Sequence, residues 1–335
     1  MALPRRTLLG ALALVPLAGC AAQPAATTPA ASAGSTASAA SGKTYRIGIV
    51  QYVTHPSLDA VRTNFVAELA RAGLKVEVDV KNPQGDQSTL NTIAQGFAAD
   101  KLDLVLAIAT PAAQAIAQAV SDRPVLFAAV TDPVDAKLVA SLEAPGKNIT
   151  GTSDMNPIDK QVGLIKQLVP NAKTIGMVYS SAESNSLVQL KLTQTAAEKV
   201  GLAVVGAAIT NSSEVQQGAQ SLVGKVDAYF IGTDNTVVSG LEALISVAQT
   251  AKLPIVTADG ESVKRGAVAS YAVDYSKMGT QTGQMAAKIL TGAAQPATTP
   301  VGFQTDPVLT INMAAAAKIG LTIPDAVKSA ANVTL

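Results

Sequence analysis

One cysteine and one histidine are all that 335 residues supply. That scarcity excludes a disulfide, a Cys/His metal cluster and a CxxC redox pair. Tryptophan is absent and aromatic residues make up 3% of the chain, which with abundant alanine suits close packing of helices on sheets. Neither charge sign is in excess, since 25 Lys and Arg against 24 Asp and Glu leave a formal +1. A nucleic-acid binder normally carries a basic surface that displaces counterions from phosphates, so this balance argues against nucleic acid as a partner. No GxGxxG or Walker sequence occurs, and no cofactor is expected. His55 lacks Ser, Cys or metal partners at catalytic spacing. It reads as a solvated loop residue ahead of Pro56, not as a general base with Asp59 or Asp132, and an enzyme is not expected.

A hydrophobic run long enough to span a bilayer is also missing. The longest near the start, Leu8 to Cys20, follows Arg5 and Arg6 in the order of a secretory signal. Leu17-Ala18-Gly19-Cys20 resembles the lipobox of bacterial lipoproteins, which implies cleavage before Cys20 and acylation of its thiol. An ordinary signal peptide containing a cysteine is the alternative. Residues 1–20 therefore read as a lipoprotein signal peptide, exported by either the general or the twin-arginine route. Residues 21–42 are nearly all Ala, Ser, Thr, Pro and Gly and read as a flexible tether, because they cannot bury enough apolar surface to offset ordering entropy.

What remains is long enough for two ordinary domains. Strand-like apolar runs alternate with helical stretches: Tyr45–Gln51, Leu74–Val80, Asp103–Ala109 and Arg123–Ala129 as strands, with Pro56–Ala72, Asp86–Ala99, Thr110–Val120 and Val134–Leu142 as helices. After a crossover at Asn148–Asp154 the pattern restarts, with helices Pro157–Leu168, Ser184–Val200 and Glu214–Leu222 and strands Thr174–Tyr179, Ala203–Ala208, Ala228–Gly232, Pro254–Val256 and Ala267–Val273. Helix Tyr275–Leu290, two strands around Val301 and Leu309, and helix Ala314–Ile319 close the chain. This alternation predicts an α/β fold of two Rossmann-like lobes with parallel sheets joined by three crossings. The first lobe comprises residues 43–152 and 274–297, the second residues 153–273 and 298–335.

Open parallel sheets bind ligands outside the carboxyl ends of their strands. Those ends are polar here: Thr110-Pro111-Ala112, Thr131-Asp132, Ser153-Asp154, Glu183, Asp234-Asn235, and Asp259 with Glu261. Each such residue before a helix also reads as a plain N-cap, Thr110 included. Their coincidence at one edge of two sheets is what favours a ligand cleft.

Val50-Gln-Tyr-Val-Thr-His-Pro56, Ala109-Thr-Pro-Ala-Ala-Gln114, Ala129-Val-Thr-Asp-Pro133, Gly151-Thr-Ser-Asp154, Thr233-Asp-Asn235 and Ser262-Val-Lys-Arg-Gly-Ala267 together resemble one family. It is the substrate-binding lipoproteins of ABC importers that include tryptophan and tyrosine binders. The resemblance implies a type I periplasmic-binding-protein fold, a small-molecule ligand of amino-acid type, and a membrane permease and ATPase as partners. A monomer is expected, anchored through the lipobox-like signal and facing the periplasm or cell exterior. On this reading Thr110, the amides of its helix and Thr131 hold the carboxylate. Asp154, Asp234, Asp259 and Glu261 are candidates for the ammonium, with Asp234 beside Asn235 favoured. Tyr52, Met155 and Tyr271 are candidates to line the side-chain pocket, and Gln51 ends the first strand at the cleft. A sugar, a nucleoside or another small solute, or a sensor feeding a signalling receptor, are the competing readings.

Overall fold

The computed structural model describes residues 42–335; the expected signal peptide, the Cys20 lipidation site and all but the last residue of the tether lie outside the described residues. β1 (Thr44–Gln51) leads to α1 (Pro56–Arg71), β2 (Lys75–Lys81) to α2 (Gln87–Ala99), and β3 (Leu104–Ile108) to α3 (Thr110–Ala119). β4 (Val125–Val130) runs through turns to β5 (Ile149–Ser153). The five strands form one parallel sheet in the order β2-β1-β3-β4-β5. β3 and β4 are buried at every position, as strands covered on both faces must be, and this is why each reads as an unbroken apolar run.

The second series is α4 (Ile158–Leu168), β6 (Thr174–Ser180), α5 (Ser184–Lys199), β7 (Ala203–Ile209), α6 (Val215–Leu222), β8 (Ala228–Ile231), α7 (Asn235–Ser239), α8 (Leu241–Ala251), β9 (Ile255–Thr257), α9 (Glu261–Arg265) and β10 (Ala269–Ala272). α10 (Tyr275–Leu290) returns to the first sheet, whereas β11 (Val308–Ile311), α11 (Met313–Lys318), α12 (Asp325–Ala330) and β12 (Val333–Thr334) complete the second. That sheet has the order β12-β11-β10-β9-β8-β6-β7 and is parallel except between β10 and β11. The run β7-β6-β8-β9-β10 repeats the winding β2-β1-β3-β4-β5. Each lobe therefore has a switch point beside its first strand, where a crevice opens at the strand ends. The chain passes between the lobes three times, at residues 154–157, 273–274 and 303–307.

α10 belongs to the first lobe by packing: Val273, Tyr275, Met278, Ala286 and Ile289 join the apolar core of the first sheet. It lies so close to α1 that a Cβ at Gly279 would overlap the Val61 carbonyl oxygen, and one at Gly283 would meet the Glu68 side chain. The second sheet carries one apolar core on each face, the first built around Ile175, Phe230 and Ile311 and the second around Val178, Tyr229 and Leu244.

Two expectations fail locally. Val134–Leu142 is a chain of turns, because Lys137 sits in the left-handed region at φ 59° and breaks the helix after one turn. The strand around Val301 reduces to a single bridge between Thr152 and Gly302. Between β8 and β10, where Asp234 and Asp259 read as caps of helices without assigned bounds, the chain forms α7, α8 and α9; Asp234 opens α7 by accepting from Val237 N at 2.8 Å, and Gly240 separates α7 from α8.

A polar gap where the two lobes meet

The carboxyl ends of β1, β4 and β5 face those of β8 and β9, and the polar residues following them touch across the gap. Thr131 and Thr233 meet at 2.8 Å between hydroxyl oxygens, Ser57 Oγ donates to Asp259 Oδ1 at 2.9 Å, and His55 Nε2 lies 3.5 Å from Asn235 Oδ1. His55, Ser57, Leu58, Ala129, Asp154, Thr233, Asp234, Asn235, Val238, Asp259 and Tyr275 enclose about 10 Å³, room for roughly one water. The lobes are closed on each other.

The hydrogen bonds across this gap have a direction. Thr131 donates to Asp154 Oδ1 at 3.0 Å, so its own oxygen accepts from Thr233, which in turn accepts from Gln189 Nε2 at 2.8 Å. The chain Gln189, Thr233, Thr131 ends on a carboxylate, and such chains polarise one another cooperatively. Tyr275 donates its hydroxyl to the other oxygen of Asp154 at 2.8 Å. Burial pushes the Asp154 carboxyl up to about 6 against the pull of these two hydroxyls. The Tyr275 phenol is itself held well above its ordinary value by burial and by Asp154.

The other acids are engaged differently. Asp234 accepts from two backbone amides, Ser180 N at 2.6 Å and Val237 N at 2.8 Å, and burial, followed by the nearby Glu183, pushes it up to about 7. Asp259 accepts from Ser262 N and Oγ at 2.8 and 2.6 Å besides Ser57. Glu183 is fully buried and takes donors from Asn185, Asn235 and Thr236, stapling the start of α7. Among these acids Asp154 alone receives only side-chain hydroxyls besides facing the gap.

Thr110 begins α3 behind Ala109, which takes a φ of 84°, a strained backbone for a residue with a Cβ. Its hydroxyl makes no cap hydrogen bond and, with the residue 2% exposed, has no partner, whereas Pro111 and Ala112 form the buried first turn beside it. Tyr52 is buried, donates to Gly85 O at 3.2 Å, and lines a side space shared with Thr236 and Ser239 of the opposite lobe. Burial and the Glu183 and Asp234 carboxylates raise its phenol.

Several candidates are not brought to the gap. Gln51 is buried but braces α1, donating to Val53 O and Asp59 Oδ1 and accepting from Arg62 Nε. Asp132 caps its own turn through Val134 N and Asp135 N. Ser153 bonds Thr131 O and Met155 N. Tyr271 stands away from the gap, its hydroxyl 3.3 Å from Lys160 Nζ, and Glu261 pairs with Lys264. Conversely, His55 is not a solvated loop residue: it is 7% exposed and lines the gap, since the second lobe covers it. Ser57, Leu58, Val238 and Tyr275 were missed as lining residues. Ser57 carries a usable signal, a hydroxyl in the first helical turn after the first strand, at the switch point. Among the described residues no group of three His, Cys, Asp or Glu is arranged to hold a metal ion.

The solved structure of a Streptococcus pneumoniae ABC domain in complex with L-Trp superposes with a TM-score of 0.85 at 41% identity, covering 88% of this chain and all of that one. A ligand-free, open substrate-binding protein with adhesive properties from Clostridium difficile reaches 0.65 at 42% identity over 86% and 98% of the two chains. At equal identity the ligand-bound relative fits better, which agrees with the lobe-to-lobe hydrogen bonds. In sequence, a protein named tyrosine-binding protein from Clostridioides difficile strain R20291 is 44% identical over 256 residues, 75% of this chain and 74% of that one. The family model described as ABC transporter substrate binding protein matches residues 46–334. Two like-wound lobes closing on a polar gap, and a match over almost the whole described chain, lead to one conclusion: the chain belongs to the ABC transporter substrate-binding protein family, whose members bind solute and are not enzymes.

Proposed function

We propose that this chain binds an α-amino acid with an aromatic side chain, tyrosine, tryptophan or phenylalanine, between its lobes and delivers it to the permease of an ABC importer. The observation that carries the ligand class is the charge of the gap. Asp154, Asp234 and Asp259 face it together with His55, and no lysine or arginine lines it. Such a lining favours the ammonium of an amino acid over an anion. Asp154 is its partner in this reading, in place of Asp234, whose oxygens each already take a backbone amide. The unpartnered hydroxyl of Thr110 and the first-turn amides of α3 supply the site for the carboxylate. The names of the tyrosine-binding relative and of the L-Trp complex support the aromatic side chain.

With the lobes closed the gap has room for about one water, so the ligand enters when they part at the three crossings and then takes the place of some cross-gap hydrogen bonds. Calorimetric titration of the full chain with tyrosine, tryptophan and phenylalanine, and with glucose and ribose as controls, tests this. Micromolar or tighter binding of an aromatic amino acid is the expected result; binding of a sugar alone overturns it.

Among the described residues no helix is long and apolar enough to cross a membrane. In this reading the protein works outside the cytoplasm, held by lipid on Cys20 through its tether. Cys20→Ser then moves the protein from the membrane fraction to the soluble fraction, and unchanged partition removes the anchor.

A further inference from the structure

The gap contains the chain's one histidine, and the hydrogen bonds around it fix which nitrogen carries the proton. Glu183 Oε2 accepts from the Asn235 backbone amide and from Asn185 Nδ2, and Oε1 accepts from Thr236 N. Both Glu183 oxygens thus already face N–H donors, so the amide of Asn235 turns its nitrogen to Glu183, at 2.5 Å, and its oxygen to His55. That oxygen lies 3.5 Å from His55 Nε2 and also only accepts. The proton of the neutral ring therefore sits on Nε2, and Nδ1 carries a lone pair. Nδ1 is buried, has no partner, and belongs to a side chain that lines the gap. A buried acceptor left unpaired costs free energy comparable to a lost hydrogen bond, which a donor arriving in the gap recovers.

We propose that His55 is a ligand-binding residue whose Nδ1 accepts a hydrogen bond from the ammonium of the bound amino acid, alongside Asp154. The inference rests on the reading of the ligand as an amino acid and adds a neutral acceptor from the first helix to the acids. Glu183 and Asn235 are positioning residues in this scheme, since they reach the ligand only through the tautomer they impose.

The surroundings of the ring set a pH response. Burial pushes His55 below its ordinary 6.5, Asp259 on the turn before α9, the Asn235 hydrogen bond and Asp59 on its own helix pull it up, and Arg265 at the end of α9 pulls it down. Asp154, Asp234 and Tyr275 complete the lining. At neutral pH the ring accepts. Falling pH converts Nδ1 to a donor and places a cation against the ammonium, so affinity drops. Asp154 and Asp234 gain protons as pH falls through about 6 and about 7 and act in the same direction, so the histidine's share is the difference between wild type and a variant that does not titrate.

Because His55 is the one histidine, ¹⁵N-histidine labelling of tag-free full-length protein reports its ring without assignment. The expected spectrum shows the proton on Nε2 before and after saturation with L-tyrosine, with the Nδ1 resonance moving in the direction of an accepted hydrogen bond. A proton on Nδ1, or an Nδ1 signal unmoved at saturation, overturns the proposal. In calorimetry His55→Gln weakens L-tyrosine about tenfold at pH about 7.5 and flattens part of the affinity loss as pH falls below the ordinary imidazole value. The desamino analogue 3-(4-hydroxyphenyl)propionate, which lacks the ammonium, is weakened little by the same substitution. Equal loss for both compounds makes His55 a structural residue and overturns the proposal. Undiminished L-tyrosine affinity in the variant overturns it alone, whereas wild type that binds no α-amino acid overturns the reading of the ligand as well.

Discussion

Tyr275 opens α10 and donates its hydroxyl to Asp154 Oδ2 at 2.8 Å, so the helix that returns from the second crossing holds the acid that begins the first. Two of the three crossings thus converge on one buried carboxylate in the gap. Tyr275→Phe removes this donor and leaves Thr131 alone to stabilise the charged form of Asp154. The carboxyl then rises beyond about 6, and at pH 7 a larger fraction is neutral. Amino-acid affinity is expected to fall about tenfold at pH 7, the worth of a hydrogen bond to a charged group, and to recover partly at higher pH. Calorimetry at two pH values checks both statements.

Asp154 also bears on stability. Its folded value of about 6 lies above the ordinary 3.8, so the folded protein binds its proton more tightly than the unfolded chain. The stability this contributes is present at low pH and is lost as pH rises through about 6. An asparagine there does not ionise. Asp154→Asn should therefore gain stability relative to wild type as pH increases from about 4 to about 8, by at most about 3 kcal/mol, while amino-acid binding is lost. His55, which burial pushes down, acts with the opposite sign below 6.5 but is common to both proteins, so the difference isolates Asp154. Urea denaturation of the pair across that range reads it; a constant difference refutes the assignment.

Much of the fold was legible in the chain because β3 and β4 are unbroken apolar runs, α10 is amphipathic, and Pro56 and Pro111 mark the first turns of α1 and α3. Local signals of that kind survive packing. The helix expected over Val134–Leu142 failed on a single backbone angle at Lys137, which composition does not announce. In the gap, the strand-end rule located Thr131, Asp154, Asp234 and Asp259 but could not rank them. Which acid is occupied by backbone amides depends on partners such as Ser180, 54 residues from Asp234. His55 looked solvated because the residue that faces it, Asn235, is 180 positions away.

The contact of α10 with α1 gives a prediction free of the ligand. Gly279→Ala improves helix propensity by about 1 kcal/mol, yet its methyl group overlaps the Val61 carbonyl, a backbone atom that no rotamer change can move. Overpacking of this kind costs about 1–3 kcal/mol, so the net effect is destabilising. A lower urea midpoint with unchanged ligand affinity in the folded protein is the expected result.

Thr110 gives a test of where the ligand's carboxylate lies. Its hydroxyl is buried and has no partner, which costs desolvation without return. Thr110→Val keeps the shape and removes the hydroxyl, so the unliganded protein should be as stable as wild type or more stable by about 1 kcal/mol. If the hydroxyl serves the carboxylate, amino-acid affinity falls about tenfold, and the amide of the same amino acid, which lacks the charged carboxylate, loses less. Thermal denaturation gives the first quantity and calorimetry with the acid and its amide gives the second. A variant that loses stability and keeps its affinity assigns Thr110 to the packing of α3 and moves the carboxylate elsewhere along the rim.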